Sequence, residues 1–227
     1  MDRSEGLAQA AAARPYRAIG AILALNAALA VAFILAGQAL FSDSAEFFRE
    51  LMPGTWLSFA ELLFVAAIAA AIHRGLSGSR RIRLDNFWGL SAAVFAFFAF
   101  DEITQLTVFL SSALTSVGTL APSGFKDLDA FLLTVVFLAA GTVLVRHVRE
   151  LLAHRAATVV LAVGVLLGMA SQTLDSTLAS TSSEFVAEEG LKLAAEPFLI
   201  GGYLLVLHSV LRRGRRPGAN AGQPAGA

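Results

Sequence analysis

Long apolar runs alternate with short polar segments along most of this chain. A helix needs ~20 mostly apolar residues to cross ~30 Å of hydrocarbon. Six runs meet that length, at about 17–41, 55–73, 87–110, 130–149, 156–175 and 190–211. The fourth is the least sharply ended, because Arg146, His147 and Arg149 fall in its last turn. The pattern predicts an all-α fold, an integral membrane bundle of six transmembrane helices. Residues 1–15 form a short polar, alanine-rich arm, 16–212 the six-helix transmembrane domain, and 213–227 a Gly/Pro/Ala tail without periodicity, expected to be disordered. The segments 111–129 and 176–188 are the longest predicted loops.

Basic residues give the orientation, since Lys and Arg favour the cytoplasmic side. With a cytoplasmic N-terminus, 14 of the 17 basic residues fall inside: Arg3, Arg14, Arg17, Arg74, Arg80, Arg81, Arg83, Arg146, Arg149, Arg155, Arg212, Arg213, Arg215 and Arg216. The exceptions are Arg49, Lys126 and Lys192. Both termini are therefore expected to be cytoplasmic. The first apolar run exceeds a signal peptide's ~7–15 residues and reads as an uncleaved helix. Trp56 and Trp88 stand at span ends, where interfacial aromatics belong.

Composition agrees with this class. Of 227 residues 56% are hydrophobic and only 15% charged, too apolar for an ordinary soluble domain. The net charge is zero but unevenly spread. Asp43, Glu46, Glu50, Asp127, Asp129 and Glu184 fall in predicted outer loops, and the inner face is rich in arginine. The expected partners are the lipid bilayer and, at that inner face, anionic lipid headgroups, with no nucleic acid. A homo-oligomer is left open. With no cysteine, disulfides and thiolate chemistry are excluded.

Carboxylates inside the apolar runs are the main functional signal. Each costs ~2.5–3.5 kcal/mol at a span centre on insertion scales. Asp101, Glu102 and Gln105 interrupt the third run, Glu61 the second, and Glu196 the last. Counting along helices of alternating direction brings all of these to the outer half of the bundle, where Gln172 and Asp175 end the fifth span. On the last helix Glu189, Lys192 and Glu196 share a face by i, i+3, i+7 spacing. Pro197 should free the Leu193 carbonyl and bend that helix, with Gly201 and Gly202 adding flexibility. Only one lysine balances these carboxylates. The surplus must be protonated, hydrated or neutralised by a bound cation.

Other features read as structural. Gly164 and Gly168 form a small-xxx-small packing face. His73, His147, His154 and His208 sit at predicted inner ends beside arginines, which suits snorkelling or interfacial roles rather than a metal. Gly75-Leu76-Ser77-Gly78 spells the GxSG of rhomboid proteases, but in an arginine-flanked loop and with no histidine evidently paired to it. Glu188-Glu189-Gly190-Leu191-Lys192 departs in spacing and basic residue from the EExxxR of CAAX-type proteases.

The segment Phe100-Asp101-Glu102-Ile103-Thr104-Gln105-Leu106, with Glu188-Glu189-Gly190-Leu191-Lys192 heading the last span, resembles a group of uncharacterised bacterial multi-pass membrane proteins. The resemblance covers roughly residues 90–210 and implies a place in the bacterial inner membrane. It carries no activity. Those proteins often place a histidine after the mid-chain acidic pair, whereas this chain has Thr107 there.

Three functions fit the residues. The leading one is binding or transport of a small cation or polar solute through the acidic cavity, with proton coupling as an option. Asp101 and Glu102 would be its charge-changing pair, Glu61 and Glu196 flanking acceptors, Lys192 the balancing cation, and Gln105 and Gln172 polar lining. A membrane-embedded hydrolase or transferase acting on a lipid-like substrate is the second, and a non-catalytic subunit with a structural polar network the third. The sequence names no cofactor, no metal and no catalytic residue.

Overall fold

A computed structural model describes residues 3–41, 46, 52–77, 86–118, 128–177 and 182–214. These form eight helical segments and, among the described residues, no strand: α1 (Arg3–Phe41), α2 (Pro53–Ser77), α3 (Phe87–Thr104), α4 (Leu106–Ser116), α5 (Leu128–Arg146), α6 (Val148–Leu152), α7 (Arg155–Thr177) and α8 (Ser182–Gly214). Five are long and apolar enough to cross a membrane: Ile19–Phe41, Pro53–Ser77, Phe87–Thr104, Arg155–Leu174 and Phe185–Arg212. The chain is an all-helical membrane protein. Of the fourth predicted run, 130–146 lie in α5, which is not among these five, and its end falls on the turn at His147 and the short α6.

Helix α8 is the axis of the bundle. It packs on α7, α2 and α1, and α3 packs on α2. Over half of its apolar window is buried (56%), against 11% for α1 at the periphery. Side-chain pairings fix the relative directions. Ser58 meets Glu196 and Gly75 meets Val210, so α2 and α8 run parallel. Asn26 meets Leu193 and Ile19 meets Gly201, so α1 runs against α8, as does α7 through His154 and Ser209. One end of the bundle thus carries the carboxylates, and the other carries Arg74 and Arg212.

Between these ends lies an apolar layer. Val65, Ile68, Ala69 and Ile72 of α2 and Leu199, Ile200 and Val206 of α8 belong to one buried cluster with Trp88, Ala92 and Leu161. Burying each large aliphatic side chain is worth ~1.5–3 kcal/mol where the alternative is water. In lipid the gain comes from close packing instead. Small residues allow that closeness. A Cβ on Gly202 would stand 2.4 Å from Leu161 Cγ, and one on Gly164 3.0 Å from the Ala195 carbonyl.

Several expectations are corrected here. Gly201 and Gly202 are packing positions against Ile19 and Leu161 rather than sources of flexibility, whereas Gly168 would meet nothing within 4 Å. Trp88 is buried (3% exposed) against Phe87 and Tyr203, not interfacial. Trp56 does stay exposed. The expected N-terminal arm is continuous with α1, which starts at Arg3. Helix α8 starts at Ser182, inside the segment read as a loop. The tail from residue 215 onward lies outside the described residues.

The third run is not one helix. It breaks at Gln105, whose left-handed backbone (φ 50°, ψ 41°) ends α3 and precedes α4. Asp101 supplies the reason. Its Oδ1 accepts the Thr107 N–H and its Oδ2 the Thr107 hydroxyl, both at 2.8 Å. That carboxylate replaces the carbonyl which would have continued the ladder and caps the new helix at its positive end. Helix α4 then runs to Ser116, through the first six residues of the segment expected to be a loop, with Gly118 (φ 89°) following it.

Candidate functional site

Two polar networks occupy the acidic half, and α8 contributes to both. In the first, Lys192 Nζ lies 2.5 Å from Glu102 Oε1 on α3 and 3.2 Å from Glu189 Oε1 one turn earlier on α8. The Lys192 and Glu102 side chains keep 26% and 17% of their exposure, so this network is partly open. The i, i+3 spacing of Glu189 and Lys192 places the helix pair, and the break after Thr104 leaves Glu102 in the last turn of α3 beside it.

The second network lies one turn deeper on α8. Glu196 is 2% and Glu61 9% exposed. The fully buried Ser58 donates its hydroxyl proton to Glu196 Oε1. Asn26 of α1 donates from Nδ2 to Glu61 Oε2 at 2.8 Å and reaches the Leu193 carbonyl at 3.3 Å. That carbonyl is the one Pro197 leaves without its usual helical N–H. The proline therefore creates an acceptor, and a polar side chain from another helix occupies it.

Ser58 and Glu61 stand one turn apart on α2, as Leu193 and Glu196 do on α8, so the bonds made by Ser58 and Asn26 bring the Glu61 and Glu196 carboxyls to neighbouring positions. Glu196 Oε2 is buried with no hydrogen-bond partner among the described residues. Two ionised carboxylates buried side by side repel, so one of them holds a proton or a cation lies beside them.

Of the residues expected at the site, Glu102, Glu189 and Lys192 come together in one network, and Glu61 and Glu196 in the other. Asp101 and Glu102 do not act as a pair, because Asp101 turns to α4 while Glu102 turns to Lys192. Gln105 serves as the left-handed joint, with no side-chain capping bond. Gln172 is half-buried on α7, and the side chain of Asp175 lies outside the described residues. Among the described residues no group of three or more His, Cys, Asp and Glu could hold a metal ion.

Sequence reasoning missed Asn26, Ser58 and Thr107. Asn26 had a visible signal as a strongly polar residue deep in the first apolar run, 4% exposed in the fold. Ser58 stands three residues before Glu61, on the same face of α2.

The opposite end corrects the reading of the histidines. His73 is 1% exposed, with Nδ1 3.1 Å from Asn86 Oδ1 and 3.0 Å from Asn86 Nδ2. Its Nε2 is 3.5 Å from Ser77 Oγ, so the GxSG serine does have a histidine beside it. A cavity of 180 Å³ is lined by these three residues with Leu76 and Trp88. The bond directions nonetheless describe a latch. Asn86 Oδ1 accepts the Gly89 N–H at the start of α3, and the Ser77 hydroxyl donates to the His73 carbonyl at 2.7 Å. The Ser77 hydroxyl proton is thus committed to the His73 carbonyl, and Nε2 stands at the outer limit of hydrogen-bonding distance, 3.5 Å from Ser77 Oγ.

No curated protein and no solved structure matches the chain. A family's sequence model does, over residues 16–207, a span that contains both networks and all five candidate spans apart from their last few residues at Arg212. The chain belongs to that family, the domain of unknown function DUF8692.

Proposed function

We propose that this membrane protein binds, and exchanges across part of the bilayer, a small cation or polar solute, with a proton moving at the Glu61–Glu196 pair. One observation carries the reading. Lys192 is bonded to Glu102 and Glu189, and among the described residues no Lys, Arg or His forms an ion pair with the buried Glu61 or Glu196. Buried ionisable groups in spans are costly and mark ion or proton pathways. The α3–α4 break at Gln105 adds support, because discontinuous helices line ion and substrate sites in transporters.

The direction of access belongs to the same proposal. With arginine-rich segments inside, six spans and both termini cytoplasmic, the partly open Lys192 network faces the outer mouth, as expected for a bacterial inner-membrane protein. The apolar layer beneath Glu196 then closes the path to the inner side. A lipid hydrolase has less support, since Ser58, the hydroxyl beside Glu196, is fully buried.

The test is thermal unfolding of purified protein across pH and a panel of cations, for wild type and Glu196→Gln, followed by proton flux in proteoliposomes. Stability that depends on pH or on a cation, and loses that dependence in the variant, is the expected result. A flat response to both in the wild type would leave the networks structural and end this reading.

A further inference from the structure

We propose that the Glu61–Glu196 pair seats one sodium ion, taken up in exchange for the proton the two carboxyls otherwise share. The inference rests on the acidic half being a cation-binding site, and adds which ion it takes and how.

The donor set is all oxygen. Both carboxyls contribute, as do Ser58 Oγ and the Leu193 carbonyl exposed by Pro197. Carbonyls freed at interruptions of membrane helices are established partners for sodium and protons. Glu196 Oε2 is buried with no hydrogen-bond partner among the described residues, so an oxygen of this cage is already open to a positive charge. Asn26 points the same way. Its NH₂ bridges Glu61 Oε2 and the Leu193 carbonyl, two acceptors that a cation would bridge equally well. Rotating that amide by half a turn presents Oδ1 instead and adds a neutral oxygen to the cage.

Charge selects a monovalent ion. Two carboxylates with one proton and the same two with one sodium carry the same net charge, so the exchange costs the buried site no electrostatic change. A divalent ion would alter that balance, and calcium wants six to eight oxygens or magnesium a largely hydrated octahedron. Since the groups already touch through hydrogen bonds, the entering ion must be small, and potassium serves as the size control. The other charged groups near the pair are Lys192 and Glu189 on α8 and Asp101 and Glu102 on α3. The spanning part of α1 carries no charged residue, and that of α7 carries none between Arg155 at its far end and Asp175.

The experiment is thermal unfolding of the full chain in sodium, potassium or choline chloride at equal ionic strength, over a pH series. Sodium should raise Tm above choline while potassium does not. The half-saturating sodium concentration should rise by up to about tenfold for each pH unit of acidification, as competition with one proton requires. Glu61→Gln and Glu196→Gln should abolish the sodium effect, and Ser209→Ala at the far end should keep it. Should the glutamine variants fail to fold, the wild type alone decides. Adding sodium in weak buffer should release about one proton per ion bound, by the same linkage. A pH-dependent Tm with no sodium-specific rise and no proton release would overturn sodium while leaving a proton site. Indifference to pH and to every cation would overturn both.

Discussion

Asn26 and Pro197 define each other. The proline removes a donor from the middle of α8, and the asparagine supplies one from α1. Asn26→Leu keeps the volume but leaves the Leu193 carbonyl and one Glu61 oxygen without that donor, at ~1–3 kcal/mol for each buried polar group. Equilibrium unfolding in detergent should show that loss. Adding Pro197→Ala should recover part of it, because residue 197 would then donate to Leu193 itself, and a double-mutant cycle should give a coupling of ~1–2 kcal/mol. At this scale the sequence was half legible. Glu61, Glu196, Lys192 and the freed carbonyl could be read from spacing and from proline chemistry. Their allocation into two networks could not, because it depends on which helices adjoin α8.

Elements were legible as apolar runs but not as packed surfaces. A run of 24 residues says nothing about a break inside it, since a left-handed Gln105 is chosen by the bond between Asp101 and Thr107, six residues apart. Gly164 and Gly168 look equivalent in sequence, yet only Gly164 faces α8, and the tightest contact belongs to Gly202. Gly202→Ala should therefore destabilise the α7–α8 pair by ~1–3 kcal/mol, the usual cost of overpacking. Gly168→Ala, which would meet nothing within 4 Å, should change stability by less than ~0.5 kcal/mol. Thermal melts of the two variants side by side check the contrast. If both are equally harmful, helix propensity or lipid contact, not the α7–α8 seam, governs these glycines.

For the whole molecule, the all-helical membrane class was legible because hydropathy and length alone determine it. The arrangement about α8 was not, since every span is apolar enough to lie anywhere in the bundle. The orientation can be tested directly because the chain has no cysteine. Single cysteines placed in 42–51 and 119–127 should react with an impermeant maleimide from outside intact cells, and one placed near Arg80 or Arg213 should react only after permeabilisation. Labelling near Arg213 from outside would invert the orientation and, with it, the proposed side of access.

The apolar layer below Glu196 also has an electrical consequence. Voltage across a membrane falls mainly over its low-dielectric part, here Val65 to Ile72 on α2 and Leu199 to Val206 on α8. A charge reaching Glu196 from the polar mouth would cross little of that drop, whereas one passing the layer would cross most of it, worth ~2.3 kcal/mol per elementary charge at 100 mV. Loading of the site should then be nearly blind to membrane potential, and the potential should act almost entirely on the step that opens the layer.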